Sequence, residues 1–598
     1  MFTEQDINRI RQMVEHTLGQ ALPDAVVTGG AGLSVTLRNG RAAIAAEDRN
    51  ALARGYFLLA RAAKEGRADL DVCQQRRFAS CGAMIDVSRN AVMTVDAVKR
   101  TMDKLAMLGM NLLLLYTEDT YEVPEYPYLG YMRGRYSRAE LRELDDYAAS
   151  LDIELMPCIQ TLGHMAQFLQ WQSSYPLRDE SYILQADLPG TYEFIEKAIA
   201  SLRSCMRARR IHVGMDEAYG VGKGKYYEKH GPTDRFELLN RHLGRVCEIC
   251  RQYDFHPLMW SDMFFRLGSP SGEYYDPECV IPDKVADMIP DVDLCYWDYY
   301  HTDEDFYDHM LEQHARLGRT VFAGGAWTWT GFLPHVKRTQ ATMRPALRSC
   351  ARHQVDTVLA TMWGDDGAET NVQLTFNQLP IFSESCWQGP EVADEEIRLC
   401  GELLTGIPDA AYRIWGEFYP SERERCTGKG LIWCDPLYPM MEFGFETMAE
   451  AAARFRKAEH DLEPYLQSEE CRYAQLCFRV AAMKGEMVSQ LRDRYLAGDR
   501  TWLRRLTDET IPALLEQYQL LMKAHRSLWE RDNKRFGWEV LALRYGAVSA
   551  RLADVQDELT RYLDGELPAV AVLDEQPLPV FRSAGQHYAG FVSPTVDL

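Results

Sequence analysis

No stretch of this 598-residue sequence stays apolar long enough to cross a bilayer; the longest, around Met107 to Tyr116, falls well short of the ~20 residues a spanning helix needs. Positive charge is in deficit, with 66 basic against 88 acidic residues and a net charge of −22. That balance excludes the Lys/Arg surface of a non-specific nucleic-acid binder, which works by releasing counterions. It equally excludes a polybasic membrane patch. The opening MFTEQDINRIRQMVEHTLG has neither the basic n-region nor the apolar core of a secretory signal. Repeats of solenoid type and low-complexity tracts are missing, and the 14 histidines show no HExxH or other metal-ligand spacing. The expectation is a cytoplasmic protein whose partners include neither nucleic acid nor membrane.

Cysteine is present but unpaired in number. Fifteen, spread through a long chain, favour reduced thiols over a disulfide framework. Cys247 and Cys250 form a CxxC inside the helical run RFELLNRHLGRVCEICRQY with no second pair nearby, and read as buried helix cysteines rather than a zinc or redox site.

What is there is globular: 46% hydrophobic and 26% charged residues, with 12 Trp and 31 Tyr. Three regions separate by pattern. Residues 1–76 read as a small α/β domain, in which LSVTLRNGRAAIAA sets Asn39-Gly40 between two alternating runs as a hairpin. The next region, 77–388, alternates short apolar runs with helical periods. The runs are CGAMIDV, NLLLLYT, IELMPCI, RIHVGM, HPLMWSD, VDLCYWD, TVFAGG and VDTVLATMW. Eight strand–helix units predict a (β/α)8 TIM barrel. A doubly wound open sheet would carry a glycine fingerprint after its first strand, which CGAMIDVSRN lacks. Residues 389–598 turn to long helical periods such as ETMAEAAARFRKAEHDLEPYL and predict an α-helical domain. Its apolar stretches WEVLALRY and YQLLMKAH suggest packing on the barrel and a homodimer.

Reacting groups of such a barrel lie at the C-terminal ends of its strands. Those ends carry Asp86 and Arg89, Glu118 and Asp119, His164, Asp216 and Glu217, then Trp260 and Asp262. The last three strands add Trp297, Asp298 and Tyr299, Trp327 and Trp329, and Trp363, Asp365 and Asp366. Carboxylates and Arg suit sugar hydroxyls, and Trp faces suit the apolar C–H faces of sugar rings. Any single Trp is more readily a core residue, but four strand ends each delivering one point to a carbohydrate pocket. Asp-Glu pairs also occur at Asp179-Glu180, Asp303-Glu304 and Asp508-Glu509, where polar surroundings make them solvated charge. Of these four pairs, Asp216-Glu217 alone follows an apolar strand, with Gly214 allowing close approach. The segment Gly220-Val-Gly222-Lys-Gly224-Lys lacks the GxxxxGK[ST] spacing of a phosphate loop and reads as a mobile loop over the pocket.

The segment Ile211 to Glu217 resembles the His-x-Gly-x-Asp-Glu motif of glycoside hydrolase family 20, the β-N-acetylhexosaminidases, with Met215 where a second glycine is frequent. Asp86-x-x-Arg89 resembles the family's first-strand element, whose Arg holds the terminal sugar hydroxyls. The resemblance implies that Asp119 and His164 support the acid and that Trp260, Trp297 and Trp363 bind substrate; Trp327 joins them as a substrate-binding candidate by its strand-end position. It further implies an exo-acting enzyme that removes terminal β-linked GlcNAc, and GalNAc as a second substrate, from a glycan. The substrate's own acetamide would be the nucleophile, with no metal and no cofactor. Glu217 would act as acid and then base, its pKa raised by the neighbouring carboxylate. Asp216 would orient the acetamide. Tyr299 is the expected hydroxyl donor to it, with Tyr296 and Tyr300 open, and Asp365 would bind O4 and O6. Chitinase-like and O-GlcNAc-removing barrels place their acids as Asp-x-Glu or Asp-Asp, so Asp216-Glu217 counts against them. A non-catalytic sugar-binding barrel is the alternative outside enzymes.

Overall fold

A computed structural model describes residues 2–421, 426–437 and 446–576. The chain begins with the helix Glu4–Leu18, then strands β1 (Ala25–Gly29), β2 (Leu33–Arg38) and β3 (Arg41–Ala46), the helix Arg49–Lys64, and β4 (Leu70–Gln74). These strands form one sheet in the order β1-β3-β2-β4, so the expected hairpin is the centre of a larger sheet. Arg38 pairs with Arg41 across the turn, and Asn39 and Gly40 take the positive φ values that a two-residue hairpin loop requires. The helix Arg49–Lys64 is buried along most of its length, and its Tyr56 and Phe57 belong to the same core as the barrel helices.

Strands β5 (Ser80–Asp86), β6 (Leu112–Tyr116) and β7 (Glu154–Cys158) open the barrel. A hairpin of β8 (Arg178–Glu180) and β9 (Ile183–Leu184) lies outside it. Strands β10 (Arg210–His212), β11 (His256–Trp260), β12 (Asp293–Asp298), β13 (Thr320–Gly325) and β14 (Thr357–Met362) complete it. All eight barrel strands are parallel and closed, each matching one of the apolar runs read from the sequence. Alternation puts Met84, Leu114, Met156, Leu258, Cys295, Val321 and Leu359 into the barrel axis, a filled interior rather than a pore. Gly82 is needed there, because a Cβ would come within 2.4 Å of the Leu112 carbonyl oxygen.

Helices Val95–Leu108, Arg138–Ser150, Pro189–Arg203, Arg235–Gln252, Glu304–Ala315, Val336–Arg352 and Pro380–Trp387 cover the barrel. After β11 the expected unit shrinks to two short helices, Asp262–Gly268 and Asp283–Ala286, with loops that lead on to Asp293. Cys247 and Cys250 are buried in Arg235–Gln252, and all fifteen cysteines are free, thirteen of them buried.

Beyond residue 389 the described residues are helical, dominated by Met448–Asp461, Glu469–Leu496, Ile511–Asp532 and Trp538–Asp564. Their core of Trp433, Phe478, Tyr518, Trp529 and Tyr545 takes in Phe332 and Leu333 from the loop after β13. The helical domain therefore sits against the mouth of the barrel. Most of the apolar surface on which a dimer was expected is used here: Trp538, Leu541, Tyr518 and Leu521 are buried, whereas Leu520 and Leu543 are exposed. No described helix is long and apolar enough to cross a membrane.

Candidate active site

The segment after β10 leaves the strand through a run of left-handed residues: Gly214 at φ 72°, Met215 at 74° and Glu217 at 49°. Asp216 and Glu217 can both face the barrel mouth because the backbone coils here instead of alternating. Gly214 is obligatory, since a Cβ would meet Gln160 Oε1 at 2.0 Å. Met215 adopts a conformation that costs a non-glycine residue about 1–3 kcal/mol, and its N–H donates to Gln160 Oε1 at 3.2 Å. The Glu217 N–H donates to Asp262 Oδ2 at 2.9 Å. His164, itself at φ 53°, stands opposite the pair.

Its Nε2 lies 3.2 Å from Asp216 Oδ2 and 3.4 Å from Glu217 Oε2, and its Nδ1 lies 3.6 Å from Glu118 Oε1. Gln160 Nε2 donates to Asp216 Oδ1 at 2.7 Å and to the Tyr116 hydroxyl at 2.9 Å. One imidazole thus faces three carboxylates. Burial alone would lower its pKa, but Asp216 and Glu217 outweigh that and hold it well above the usual histidine value. The effect on the acids is reciprocal. Burial pushes Asp216 up, and His164, Gln160 and Arg89 bring it below its ordinary value. Burial pushes Glu217 up as well, and His164 with the Tyr219 hydroxyl lowers it overall. This corrects the expectation of a raised Glu217: the His164 cation dominates over repulsion from Asp216. These directions favour the imidazolium form of His164 beside ionised Asp216 and Glu217.

Asp119 is not the carboxylate that meets His164. It is buried and pairs with Arg133 Nε at 2.9 Å, while Glu118 faces the histidine. Tyr116 points into the barrel, so two residues on Glu118 shares its face and Asp119 turns away. Arg89 closes the other side of the mouth, 2.9 Å from Asp86 Oδ2, 3.7 Å from Glu118 Oε1 and 3.4 Å from Asp365 Oδ1. Its guanidinium lies 5.2 Å over the Trp363 ring.

Between these groups runs an aromatic wall. Trp260 packs against His212 and Trp363, and Trp297 stacks on Tyr299 at 5.3 Å. Trp327 is fully buried, stacked at 4.3 Å beneath Trp329, and it is Trp329 that meets Tyr299. Trp327 therefore supports the wall from behind. Among the three tyrosines, Tyr296 points out of the barrel and donates to Asp298 Oδ2 at 2.8 Å. Asp298 faces the same way, toward His301 at 2.7 Å, which removes it as a pocket acid. Tyr300 lies on the outer rim against Trp327, and Tyr299 is buried in the wall within reach of the Trp363 indole.

Sequence reasoning left out Gln160, Tyr116 and Tyr219, and did not weigh Asp262 as a partner of the acid. Asp262 is fully buried, and burial together with Asp216 holds its carboxyl well above the ordinary range. Two further readings change. Asp179 is buried rather than solvated, and its carboxylate accepts from Gly222 N at 3.1 Å and Tyr226 N at 2.7 Å. That anchoring ties down the glycine-rich segment read as a mobile loop.

Two family models match the chain. One described as glycosyl hydrolase family 20, catalytic domain, matches residues 78–276, and one described as glycoside hydrolase 20C C-terminal domain matches residues 420–592. Hexosaminidase D of Bos taurus is 30% identical over 238 residues, 37% of this chain and 62% of its own length. Hexosaminidase D of Homo sapiens is 28% identical over 199 residues, 30% of this chain and 40% of its own length. The chain thus spans less than two thirds of either relative. A GH20 exo-β-N-acetylglucosaminidase from Vibrio harveyi aligns with a TM-score of 0.49 at 16% identity, covering 68% of this chain and 73% of its own. A mutant Streptomyces plicatus β-hexosaminidase in complex with the product GlcNAc aligns at 0.49 and 19% identity, covering 67% and 89%.

Proposed function

The chain belongs to glycoside hydrolase family 20, and on that premise we propose that it is an exo-acting β-N-acetylhexosaminidase. It releases terminal non-reducing β-linked GlcNAc, with GalNAc as a second substrate, by a retaining mechanism in which the substrate's acetamide is the nucleophile. The observation that carries this reading is the shared contact of His164 with Asp216 and Glu217, set beside the wall of Trp260, Trp297 and Trp363.

The chemistry follows from that contact. The sugar stacks on the Trp wall and its hydroxyls engage Arg89 and Asp365. Tyr299 is the hydroxyl donor best placed for the acetamide oxygen, because Tyr296 is spent outside the barrel. Asp216 remains anionic against the acetamide nitrogen and stabilises the positive charge that grows there as the oxygen closes on C1. Glu217 must protonate the departing glycosidic oxygen. In the resting site it is the more solvent-exposed of the pair, 36% against 10%. A bound sugar excludes that water, which favours the neutral carboxyl. The proton held on His164 is then passed across 3.4 Å to Glu217 Oε2. The C1–O bond breaks, an oxazolinium ion forms, and Glu217 accepts a proton from the water that opens it.

Support for a cytoplasmic location comes from the fifteen free cysteines. Support for a homodimer through the helical domain is reduced to exposed Leu520 and Leu543, and a sedimentation mass of 68.6 kDa would remove it.

The reading is tested by nitrophenol release from nitrophenyl β-GlcNAc and its inhibition by a thiazoline mimic of the oxazolinium ion. Turnover with thiazoline binding far tighter than GlcNAc is expected. Binding of GlcNAc without turnover would leave a sugar-binding barrel in its place.

A further inference from the structure

Two acidic residues one helical turn apart on the loop after β14 have different partners. Asp365 Oδ1 meets Arg89 Nε at 3.4 Å in the barrel mouth. Glu369, after the four-residue turn Asp365–Ala368, is only 2% exposed and faces the helical domain. There its Oε1 accepts from Arg544 Nη1 at 2.7 Å and from Trp433 Nε1 at 2.6 Å, and its Oε2 lies 2.8 Å from Lys429 Nζ. Lys429 and Arg544 are themselves buried. Two cations and an indole, all from the helical domain, thus converge on one carboxylate of a barrel loop. The same loop is pinned further along, where Asn371 Nδ2 donates to the Leu528 carbonyl at 3.0 Å and to Asp532 Oδ2 at 2.9 Å.

The segment that follows Arg89 is held by the same domain. Lys534 N donates to the Val92 carbonyl at 2.7 Å, Thr94 N donates to the Asp532 carbonyl at 3.0 Å, and Met93 pairs with Asn533 as a β-bridge. Gly537 makes the approach possible, since at φ 89° it lies against Asn90, and a Cβ would meet the Asn90 carbonyl oxygen at 2.2 Å. Both loops that supply the Arg89–Asp365 pair are therefore fixed to one body that supplies no residue of the pocket described above.

We infer that Glu369, held by Arg544, Lys429 and Trp433, is a positioning residue for Asp365, and that the helical domain sets the spacing of the Arg89–Asp365 pair that recognises the sugar's outer hydroxyls. A buried carboxylate between two cations is a costly arrangement for mere adhesion, which apolar packing supplies at least as well. Its geometric precision suits a site in which a displacement of about 1 Å can cost 100-fold. The inference rests on the proposed role of Asp365 toward the sugar.

The test uses the full chain and its Arg544→Met, Arg544→Lys and Glu369→Gln variants, with nitrophenyl β-GlcNAc and its 4-deoxy and 6-deoxy analogues. Arg544→Met is expected to raise KM about tenfold with kcat held within about threefold, the signature of lost binding common to ground and transition states. The penalty for deleting the 4- or 6-hydroxyl should shrink, and Arg544→Lys should restore part of both. Adding Arg544→Met to Asp365→Asn should cost little more, because the two changes act on one contact. Unchanged KM and deoxy penalties in folded Arg544→Met, or losses that add fully to those of Asp365→Asn, would overturn the inference. If Arg544→Met does not fold, Glu369→Gln, which keeps the shape of the side chain, decides by the same two readouts. Wild-type turnover and its own deoxy penalties test the functional reading separately. An active wild type with unaltered variants sinks only the positioning role.

Discussion

His164 Nε2 lies 3.2 Å from Asp216 Oδ2, and the histidine reaches this position in a left-handed backbone conformation. The contact couples the charges of the site. Asp216 is driven toward its anionic form and His164 toward its cation, so the neighbouring Glu217 is lowered instead of raised. Two adjacent carboxylates are tolerated in a buried site because a cation is placed between them.

Replacing Glu217 with Gln removes the proposed proton donor to the leaving oxygen. The expected loss is at least ~100-fold on natural disaccharides, the scale of general acid catalysis, and smaller on dinitrophenyl glycosides, whose leaving group needs no proton. Steady-state kinetics on both classes checks this. Equal losses would mean that Glu217 is not the acid.

Asp216→Asn keeps the shape and removes the charge. If Asp216 acts, as proposed, on charge that develops in the transition state, kcat should fall by ~10²–10³ with a smaller change in KM. A rise in KM at constant kcat would reassign Asp216 to substrate binding.

His164→Gln removes the proposed holder of the catalytic proton. His164 is held well above its usual value, so wild-type kcat/KM should persist above neutral pH and fall only as the cluster loses its shared proton. In the variant the proton must sit on Glu217 itself, and the alkaline limb should move to lower pH. A limb at the wild-type position would show that His164 does not carry the catalytic proton.

Four buried histidines make part of the fold acid-labile. Burial holds His212, His242 and His314 down to about 4 and His525 to about 3, against an unfolded value near 6.5. Between those values the unfolded chain binds protons that the folded chain does not, so each group's contribution is intact above pH 6.5 and is lost as pH falls toward 4. Each such site changes stability by about 1.4 kcal/mol per pH unit within that window. His242→Gln, which keeps a donor for the Thr161 carbonyl, should therefore lose less stability than wild type between pH 6.5 and 4 in denaturant titrations. Parallel losses would contradict the assignment.

The barrel was legible because each strand is a short apolar run that ends in a polar residue at a turn, and that pattern survives in sequence without any knowledge of partners. Arg89, Asp216, Glu217 and His164 were legible as ends of those runs. Glu118 was recoverable too: counting by twos from inward-facing Tyr116 selects it over Asp119. Gln160 carried no such signal, since its importance comes from bridging Tyr116 and Asp216 across 44 and 56 residues. The depth of Trp327 behind Trp329 depends on a loop that doubles back, and periodicity does not encode that. The clamp on Glu369 was hidden for a related reason, because Lys429, Trp433 and Arg544 come from a domain whose sequence shows only amphipathic helices.

The central claim is that the acetamide of the substrate, oriented by Asp216, displaces the aglycone before water does. One proton NMR time course of the wild-type chain acting on a mixture of nitrophenyl β-GlcNAc and nitrophenyl β-glucoside tests it directly. The account predicts that free GlcNAc appears first as the β-anomer, through two displacements at C1, while the glucoside, which has no acetamide, persists. First-formed α-anomer, or consumption of the glucoside at a comparable rate, would contradict it.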